Sequence, residues 1–247
     1  MRVLLPTPAD DVDLHAFFAQ DWVGAGGIRA NMISSLDGAA TSGGLSEGLQ
    51  TPGDNAVFAA LRDLADVVLV GAGTAKAEGY RPIDLGERRT AIRQQYGLAA
   101  AVPTAVVSAS LHLDPANPLF TETAADNRTL VFTCDAADPA PRAALAEVAD
   151  VVSCGDRAVD LQLVHDELRS RGLGRVLCEG GPTLLGSLGA AGVLDELCLT
   201  ISPMLAGPAG IRIVEGRAWE AAHTHLKLAG LLEEDGALFL RLRTDRV

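Results

Sequence analysis

The chain has 247 residues, 48% of them apolar, and its 32 acidic side chains outnumber 20 basic ones to give a net charge of −12. Such a surface repels a phosphate backbone, and the longest basic run is Arg88-Arg89, so nucleic acid is not an expected partner. No apolar stretch reaches the roughly 18 to 20 residues of a membrane span, and the N-terminus does not read as a secretory signal. These features predict a cytoplasmic protein that acts on a small molecule.

The cysteines and histidines give no metal signature. Each of the four cysteines lies singly in or beside an apolar segment, which predicts reduced, structural thiols. His223 and His225 could chelate from one strand face, but no third ligand is evident in the sequence. The sequence therefore predicts no metal site.

Apolar runs and helical spacing alternate along the chain. The predicted strands are Ile28–Ile33, Val67–Val70, Thr104–Ser108, Thr129–Thr133, Val151–Ser153, Arg175–Cys178 and Leu197–Ile201. The predicted helices are Asn55–Leu64, Pro141–Val148, Leu161–Leu168 and Pro182–Leu188. Most of these strands lack polar alternation, as strands covered on both faces do. The pattern predicts an α/β fold with a mostly parallel central sheet flanked by helices on both faces.

The remaining segments differ from this alternation. Thr224–Leu232 and Ala237–Leu242 flank Asp235-Gly236, a hairpin signal, and predict a C-terminal antiparallel ribbon. Residues 79–102 are the least regular part and predict an irregular excursion at the sheet's edge, bordering a site. Residues 1–27 are interpreted as an N-terminal extension. No repeat or linker divides the sequence, so residues 1–247 are expected to form a single domain.

Two glycine motifs follow predicted strands. Gly71-Ala72-Gly73-Thr74 follows the predicted strand Val67–Val70. Glycine there lets the backbone approach a ligand, and a helix beginning nearby would present free N–H groups to a phosphate. Lys76 stands where the dinucleotide fingerprint requires glycine, so an ordinary strand-to-helix turn is the alternative. Glu179-Gly180-Gly181-Pro182 follows another strand, with proline opening a helix. These backbone donors suit a pyrophosphate, and the alternative is a helix start with Glu179 as a solvated or capping acid.

A third motif, Ser35-Leu36-Asp37-Gly38, leads from a strand into the glycine-rich loop 41–48. Asp-Gly marks a turn whatever its function, so an ordinary turn is an equal alternative. The loop is rich in small residues and could move over a bound ligand.

In this order the motifs resemble the reductase domain family of riboflavin biosynthesis. The matching segments are Ser35–Gly38, Leu61-Arg62 through Asp66 to Thr74, Glu179–Leu184, and Leu194-Asp195-Glu196 through Pro203. The resemblance implies a dihydrofolate-reductase-like fold, NADPH as cofactor, and reduction of a ribosylaminopyrimidine phosphate. It also implies a stand-alone reductase, because the zinc motif of the associated deaminase domain is not found in the sequence.

The resemblance further implies roles for individual residues. It assigns the NADPH pyrophosphate to Gly71, Gly73, Thr74, Gly180, Gly181, Pro182, Thr183 and Leu184, and the adenosine phosphate end to Ser108. It makes Asp37 and Glu179 the catalytic acids and Ser35, Arg62 and Glu78 the substrate-binding residues. Arg62 would meet a substrate phosphate, although on a helix it could equally be a surface charge paired with Asp66. Gly180-Gly181 corresponds to a pair of glycines joined by a cis peptide bond in that fold.

The sequence departs from the family pattern near the substrate end. Gly79 and Tyr80 replace the second aspartate and the proline of the family, which leaves the biosynthetic substrate open. Reduction of dihydrofolate or another pterin is one alternative, and a non-catalytic NADP(H)-binding protein is another. The Leu194–Pro203 region and the terminal ribbon are expected to form a homodimer surface.

Overall fold

The computed structural model describes residues 1–22, 24–208, 210–216, 219 and 224–245. Within them, the strands are β1 (Arg2–Leu5), β2 (Gly27–Ser35), β3 (Val67–Gly71), β4 (Thr104–Val107), β5 (Leu130–Thr133), β6 (Asp150–Ser153), β7 (Arg175–Cys178), β8 (Leu194–Ser202), β9 (Leu226–Glu234) and β10 (Ala237–Thr244). The helices are α1 (Leu14–Ala19), α2 (Pro52–Leu64), α3 (Ala72–Ala77), α4 (Gly86–Gln95), α5 (Pro118–Thr121), α6 (Pro139–Ala146), α7 (Leu161–Ser170) and α8 (Pro182–Ala190). In this part of the chain no helix has the length and apolar character to span a membrane.

All ten strands form one sheet in the order β1-β9-β10-β8-β2-β7-β3-β4-β5-β6. Seven consecutive strands of this order, from β8 to β6, are parallel to one another. Strand β10 pairs antiparallel with both β8 and β9. Every predicted strand and helix is present, with ends within three residues of the prediction. The antiparallel ribbon is β9–β10, turning at Asp235-Gly236.

Successive residues of β3 show that the sheet is covered on both faces. Val67 and Leu69 pack in the cluster that contains Leu168 of α7 and Leu188 of α8. Val68 belongs to a different cluster, with side chains of α1 and α2. Because neighbouring strand residues point to opposite faces, both faces must be apolar, which explains the missing polar alternation. The predicted α/β fold, a mostly parallel sheet with helices on both faces and a C-terminal antiparallel ribbon, is confirmed.

Residues 1–27, interpreted from sequence as an extension, are part of the sheet and core. Strand β1 pairs antiparallel with β9, and Phe17 and Phe18 of α1 are buried. The buried guanidinium groups of Arg29 and Arg241 donate to the carbonyls of Phe18 and Phe17, each at 2.7 Å. These bonds fix α1 across the β2 and β10 strands, a role that the sequence pattern did not predict.

The segment 79–102 is less irregular than the sequence suggests, because Gly86–Gln95 forms α4. This helix has little apolar periodicity, and its buried residue is Arg93. Arg93 donates to the carbonyl oxygens of Ala99 (2.5 Å), Asp63 (2.8 Å) and Ala65 (2.7 Å). The helix is therefore held by a guanidinium that binds backbone carbonyls. Because this contact is polar, the sequence has no hydrophobic pattern from which the helix could be predicted.

The carboxyl ends of β2, β3 and β7 meet at one edge of the sheet because the three strands are parallel neighbours. There the N–H of Gly71 donates to the carbonyl of Gly180 at 2.8 Å, and that of Glu179 to Leu69 at 2.9 Å. The two glycine motifs are thereby joined, and ligands of open α/β sheets bind at this edge.

The Arg93 contact can be tested by replacing it with leucine. Since Arg93→Leu leaves up to three carbonyls of the α2 and α4 ends without a donor, we expect a loss of about 3 kcal/mol in the free energy of unfolding. Urea denaturation followed by circular dichroism measures it. Arg88→Leu, at an exposed position of the same helix, is the control and should leave the midpoint nearly unchanged. Equal midpoints for the two variants would contradict the docking role.

Candidate active site

A cavity of about 620 Å³ opens at the carboxyl edge of the parallel strands. Of the site residues predicted from sequence, its wall includes Arg62, Gly73, Thr74, Glu78, Glu179, Gly181 and Pro182. The cavity is also bordered by the segment 79–84, as the sequence suggests for the start of the 79–102 excursion. The wall residues come from four parts of the chain, namely residues 31–62, 73–84, 179–182 and 211.

Glu179 is the central carboxylate of this wall. It follows β7, it is buried, and its two oxygens accept from Arg62 Nε at 2.6 Å and Nη2 at 2.7 Å. The hydroxyl of Tyr80 donates to Glu179 Oε2 at 2.6 Å. Arg62 ends α2 and Tyr80 follows α3, so one carboxylate connects two helices to the end of a strand.

Arg62 is held on its other sides by aromatic rings. Its guanidinium carbon lies 4.2 Å from the ring centroid of Phe58 and 5.7 Å from that of Tyr80. Burial opposes the charge of Arg62, but the hydrogen bond and charge of Glu179 outweigh it and raise the pKa of Arg62 above its usual value. Burial and the Glu179 charge raise the pKa of Tyr80 well above its usual value, so its hydroxyl stays a donor.

This pairing contradicts one of the two interpretations of Arg62 made from sequence, the pairing with Asp66. Arg62 was expected to meet a substrate phosphate, or else to pair with Asp66. Asp66 instead pairs with the side chain of Arg175 and accepts from its backbone N–H. The sequence offered no means of choosing, because Arg62 and Glu179 are 117 residues apart along the chain.

The two glycine turns form a side-chain-free part of the wall. A Cβ on Gly73 would meet no atom within 4 Å, whereas a Cβ on Gly181 would lie 2.3 Å from Thr74 Oγ1. The structure has a cis peptide bond between Gly180 and Gly181, as the resemblance implies, and Gly180 has φ +84°. Gly181 therefore allows the α8 turn to approach Thr74, and Gly73 leaves open space beside the backbone.

Asp37 and Ser35 lie outside the cavity wall. The exposed carboxylate of Asp37 accepts from the Ser35 hydroxyl and from the backbone N–H groups of Ala206 (3.0 Å) and Gly207 (2.7 Å). The Ser35 hydrogen bond, with these two backbone bonds, lowers the pKa of Asp37 to about 2. The segment that Asp37 holds continues to Ile211, which does line the cavity.

Other predicted cofactor residues also stand away from the cavity wall. Ser108 is buried and its hydroxyl accepts from the N–H of Leu111 at 3.1 Å. Leu184 packs in the core, and the carbonyl of Thr183 accepts from the Ser187 hydroxyl within α8. Gly71 and Gly180 lie behind the wall, bonded to each other. Gly71, Gly180 and Leu184 lie directly beside the two turns that Gly73 and Gly181 present to the cavity.

Asp54 is a functional candidate that the sequence reasoning missed. It lies one turn before Phe58 and two turns before Arg62 on α2, so the four-residue spacing directs all three to the cavity. Burial raises its pKa, and a hydrogen bond with Thr200 partly opposes that rise. The spacing Asp54-x-x-x-Phe58-x-x-x-Arg62 carried the signal, but the helix predicted from sequence began at Asn55 and did not include Asp54.

No cluster of three metal-binding side chains occurs among the described residues. The four cysteines are free and buried, as expected for structural thiols. His223, one half of the weak chelation signal, lies outside the part of the chain that the structure describes.

A parallel α/β sheet whose cavity opens at the carboxyl edge, walled by glycine turns and buried acids, is the arrangement of a cofactor-dependent α/β enzyme. Residues 27–238 match the model of the RibD C-terminal domain, and the chain belongs to this family. Its members include reductases, and the protein is accordingly an oxidoreductase by class.

Individual relatives agree with this membership. The chain is 30% identical over 214 residues to a 2,5-diamino-6-ribosylamino-4(3H)-pyrimidinone 5′-phosphate reductase of Methanothermobacter thermautotrophicus, covering 84% of this chain and 94% of that one. A pyrimidine reductase-like protein of Corynebacterium diphtheriae superposes with a TM-score of 0.86 at 26% identity, covering 96% and 100%. The riboflavin biosynthesis reductase Rib7 of Saccharomyces cerevisiae shares the fold, with a TM-score of 0.64 at 17% identity, covering 89% and 90%.

The anchoring role of Asp37 predicts a pH-dependent effect. Because its folded pKa of about 2 is below the ordinary 3.8, its stabilisation is fully present above about pH 4 and is lost as the pH falls through about 2. Asp37→Asn should lower the melting temperature at neutral pH and converge with wild type near pH 2. Asp126→Asn, at another exposed acid, is the control. A constant difference between Asp37→Asn and wild type at every pH would contradict this role.

Proposed function

We propose that the protein is an NADPH-dependent reductase that transfers a hydride to a ribosylaminopyrimidine or a closely related amino-substituted heterocycle. The observation that carries the proposal is the single cavity in which the Gly73-Thr74 turn, Gly181 and the carboxyls of Asp54 and Glu179 meet. The names of the curated relatives, which are reductases of a ribosylaminopyrimidinone phosphate, support the same reaction class.

The residues present fit a nicotinamide dinucleotide. Gly73 leaves space for a ligand against bare backbone, and Thr74 and Gly181 adjoin it. Pro182 begins α8, whose first backbone N–H groups have no partner within the helix and suit a pyrophosphate. Bound there, the cofactor supplies the hydride. We propose NADPH rather than NADH from the family resemblance, with Thr183 and Leu184 beside the α8 turn and Ser108 towards the adenosine phosphate end.

Asp54 is our candidate for the proton source. Reduction of an imine carbon requires a proton on the nitrogen as well as a hydride on the carbon. Asp54 is buried in the wall, and its raised pKa favours the protonated form that such a step requires. No histidine lines the cavity in the described part of the chain, and we assign the proton transfer to the Asp54 carboxyl.

Glu179 orients the substrate rather than exchanging protons. Its charge is shared with Arg62, and Tyr80 fixes one of its oxygens. A carboxylate held in this way can accept from an N–H of the heterocycle and stabilise positive charge that develops on it. We assign Asp37, with Ser35, to positioning, because the carboxylate holds the segment that leads to Ile211. Glu78, whose Oε1 accepts from the N–H of Ser46 at 3.1 Å, fixes the glycine-rich loop beside the substrate.

A second candidate activity is the reduction of dihydrofolate or a related pterin. Asp54 favours it, because reduction of a dihydropterin also places a proton on a ring nitrogen next to the carbon that takes the hydride. A homodimer and a cytoplasmic location stay predictions from the sequence.

The decisive measurement is NADPH oxidation with the ribosylaminopyrimidinone, its 5′-phosphate and dihydrofolate assayed side by side. Oxidation with either pyrimidinone, at a rate well above that with dihydrofolate, is the expected result. Oxidation with dihydrofolate alone would replace the proposed substrate by a pterin. Cofactor binding without oxidation of NADPH by any of the three would leave a non-catalytic nucleotide-binding protein and overturn the proposal.

Asp54→Asn tests the proton source. We expect kcat to fall by about 100-fold or more, since proton transfer by a positioned group contributes on that order. The Kd for NADPH should change little, because Asp54 is not among the glycine turns. Asn55→Ala, at the exposed neighbouring position of α2, is the matched control. An unchanged kcat in Asp54→Asn would remove Asp54 from the reaction.

A further inference from the structure

The cavity wall holds two positively charged side chains, those of Arg62 and Arg81, and within the described residues no lysine or histidine joins them. Arg62 makes two hydrogen bonds to Glu179, whose side chain is only 2% exposed. Releasing Arg62 would leave a buried carboxylate without its counter-charge, which is strongly unfavourable. Arg62 is therefore committed to Glu179 in the folded protein.

Arg81 is also paired, but weakly. Its Nη2 donates to both oxygens of Glu122, at 2.6 and 2.9 Å. The side chains of Arg81 and Glu122 are 63% and 50% exposed, and an ion pair in contact with water contributes little to stability. A guanidinium has five N–H donors, whereas these bonds use a single nitrogen. A negatively charged group on a ligand can therefore recruit Arg81 at low cost.

The backbone that carries Arg81 is fixed, although its side chain is exposed. The N–H of Tyr80 donates to the carbonyl of Ala75 at 2.9 Å, and the Tyr80 hydroxyl donates to Glu179 at 2.6 Å. Pro82 follows Arg81, and the residue before a proline is restricted to extended backbone. Arg81 can therefore exchange one partner for another by rotation of its side chain, while its backbone stays at the border of the cavity.

The acidic groups of the wall do not exclude a phosphate from this end. Glu179 is paired with an arginine, and the raised pKa of Asp54 favours its neutral form. The other two carboxyl groups of the described wall belong to Glu78 and Asp84, which flank Arg81 in the chain. The charge of Arg81 would offset theirs when an anion enters, so the loss of this one side chain should affect an anionic ligand strongly.

We propose that Arg81 binds the 5′-phosphate of the substrate, and that it leaves Glu122 to do so. This inference rests on the proposed function and names the residue that selects the phosphate form of the substrate. It gives Arg81 the role that the resemblance implied for Arg62.

The chemistry of the two partners supports this assignment. The substrate named for the curated relatives is a 5′-phosphate, and a guanidinium offers a phosphate two parallel N–H bonds. Glu122 has the same sign of charge as the phosphate and holds the same guanidinium. Glu122 is therefore a competitor of the phosphate, and its carboxylate weakens the binding of the phosphate form.

The test compares 2,5-diamino-6-ribosylamino-4(3H)-pyrimidinone with its 5′-phosphate on the protein loaded with NADP⁺. Because the oxidised cofactor has no hydride to transfer, neither ligand is consumed, and calorimetry gives the Kd of each. We expect wild type to bind the 5′-phosphate at least about tenfold more tightly, as charge-assisted hydrogen bonds to one arginine provide. NADPH oxidation is measured separately for each ligand.

Three variants and a control then assign the contact. Arg81→Ala should remove most of the preference for the 5′-phosphate, and Arg81→Lys should keep part of it, because lysine retains the charge but not the two-point geometry. Glu122→Gln should raise the preference by about two- to fivefold, the range expected for one exposed ion pair. Arg88→Ala, at an exposed position of α4 outside the cavity wall, is the control and should leave the preference unchanged.

The outcomes separate this inference from the proposed function. An unchanged preference in Arg81→Ala, with NADPH still oxidised, would overturn the inference and leave the reductase activity in place. A loss in Arg81→Ala of affinity for NADPH but not for the 5′-phosphate would assign Arg81 to the cofactor and overturn the inference as well. A preference that is lost in Arg81→Ala, without NADPH oxidation in wild type, would support the inference and contradict the proposed reaction.

Two further results bear on the competition and on both proposals together. Equal or weaker binding of the 5′-phosphate by Glu122→Gln, relative to wild type, would contradict the competing role of Glu122. If neither ligand binds to wild type, the inference and the proposed function are both overturned.

Discussion

Glu179 lies in the cavity wall, and its side chain is almost entirely removed from solvent. A buried carboxylate requires a counter-charge to be stable. Arg62 supplies that charge in a two-point contact, and Tyr80 saturates one oxygen further. The pair fixes the end of α2, the end of β7 and the segment after α3 relative to one another. The shape of the cavity therefore depends on this ion pair, against which Tyr80 and Phe58 are packed.

The same pair explains how the family fold is altered in this chain. On the proposed cofactor side, the glycine turns are bonded to each other through Gly71 and Gly180. The proposed substrate side carries Gly79 and Tyr80, the positions at which the sequence departs from the pattern of the resemblance. The ring of Tyr80 packs against Arg62, and its hydroxyl donates to Glu179. Tyr80 therefore contacts both charged groups, which a polar ligand could otherwise contact. Change at one end of the cavity is compatible with an unchanged cofactor end because the two are built from different segments.

Three acids near this edge show how surroundings divide one chemical type into separate roles. Glu179 is paired with Arg62, and Asp54 is buried with a raised pKa and the Thr200 hydroxyl as a hydrogen-bond partner. Asp37 is exposed, and hydrogen bonds from one hydroxyl and two backbone N–H groups lower its pKa to about 2. Burial, an opposite charge and hydrogen bonding act on each carboxyl in different proportion. Residue type alone could not have assigned these roles.

The sequence by itself determined the α/β class, the parallel strands, the C-terminal ribbon and the two glycine turns. These features follow from local patterns, namely apolar runs such as Val67–Val70 and glycines at strand ends. Such patterns can be recognised in a single sequence. Only the tertiary structure decided that Arg62 pairs with Glu179 rather than Asp66, and that Arg93 docks a polar helix. Each of those outcomes depends on which groups come within hydrogen-bond distance after folding. Since the partners lie tens to more than a hundred residues apart, no spacing along the chain encodes them.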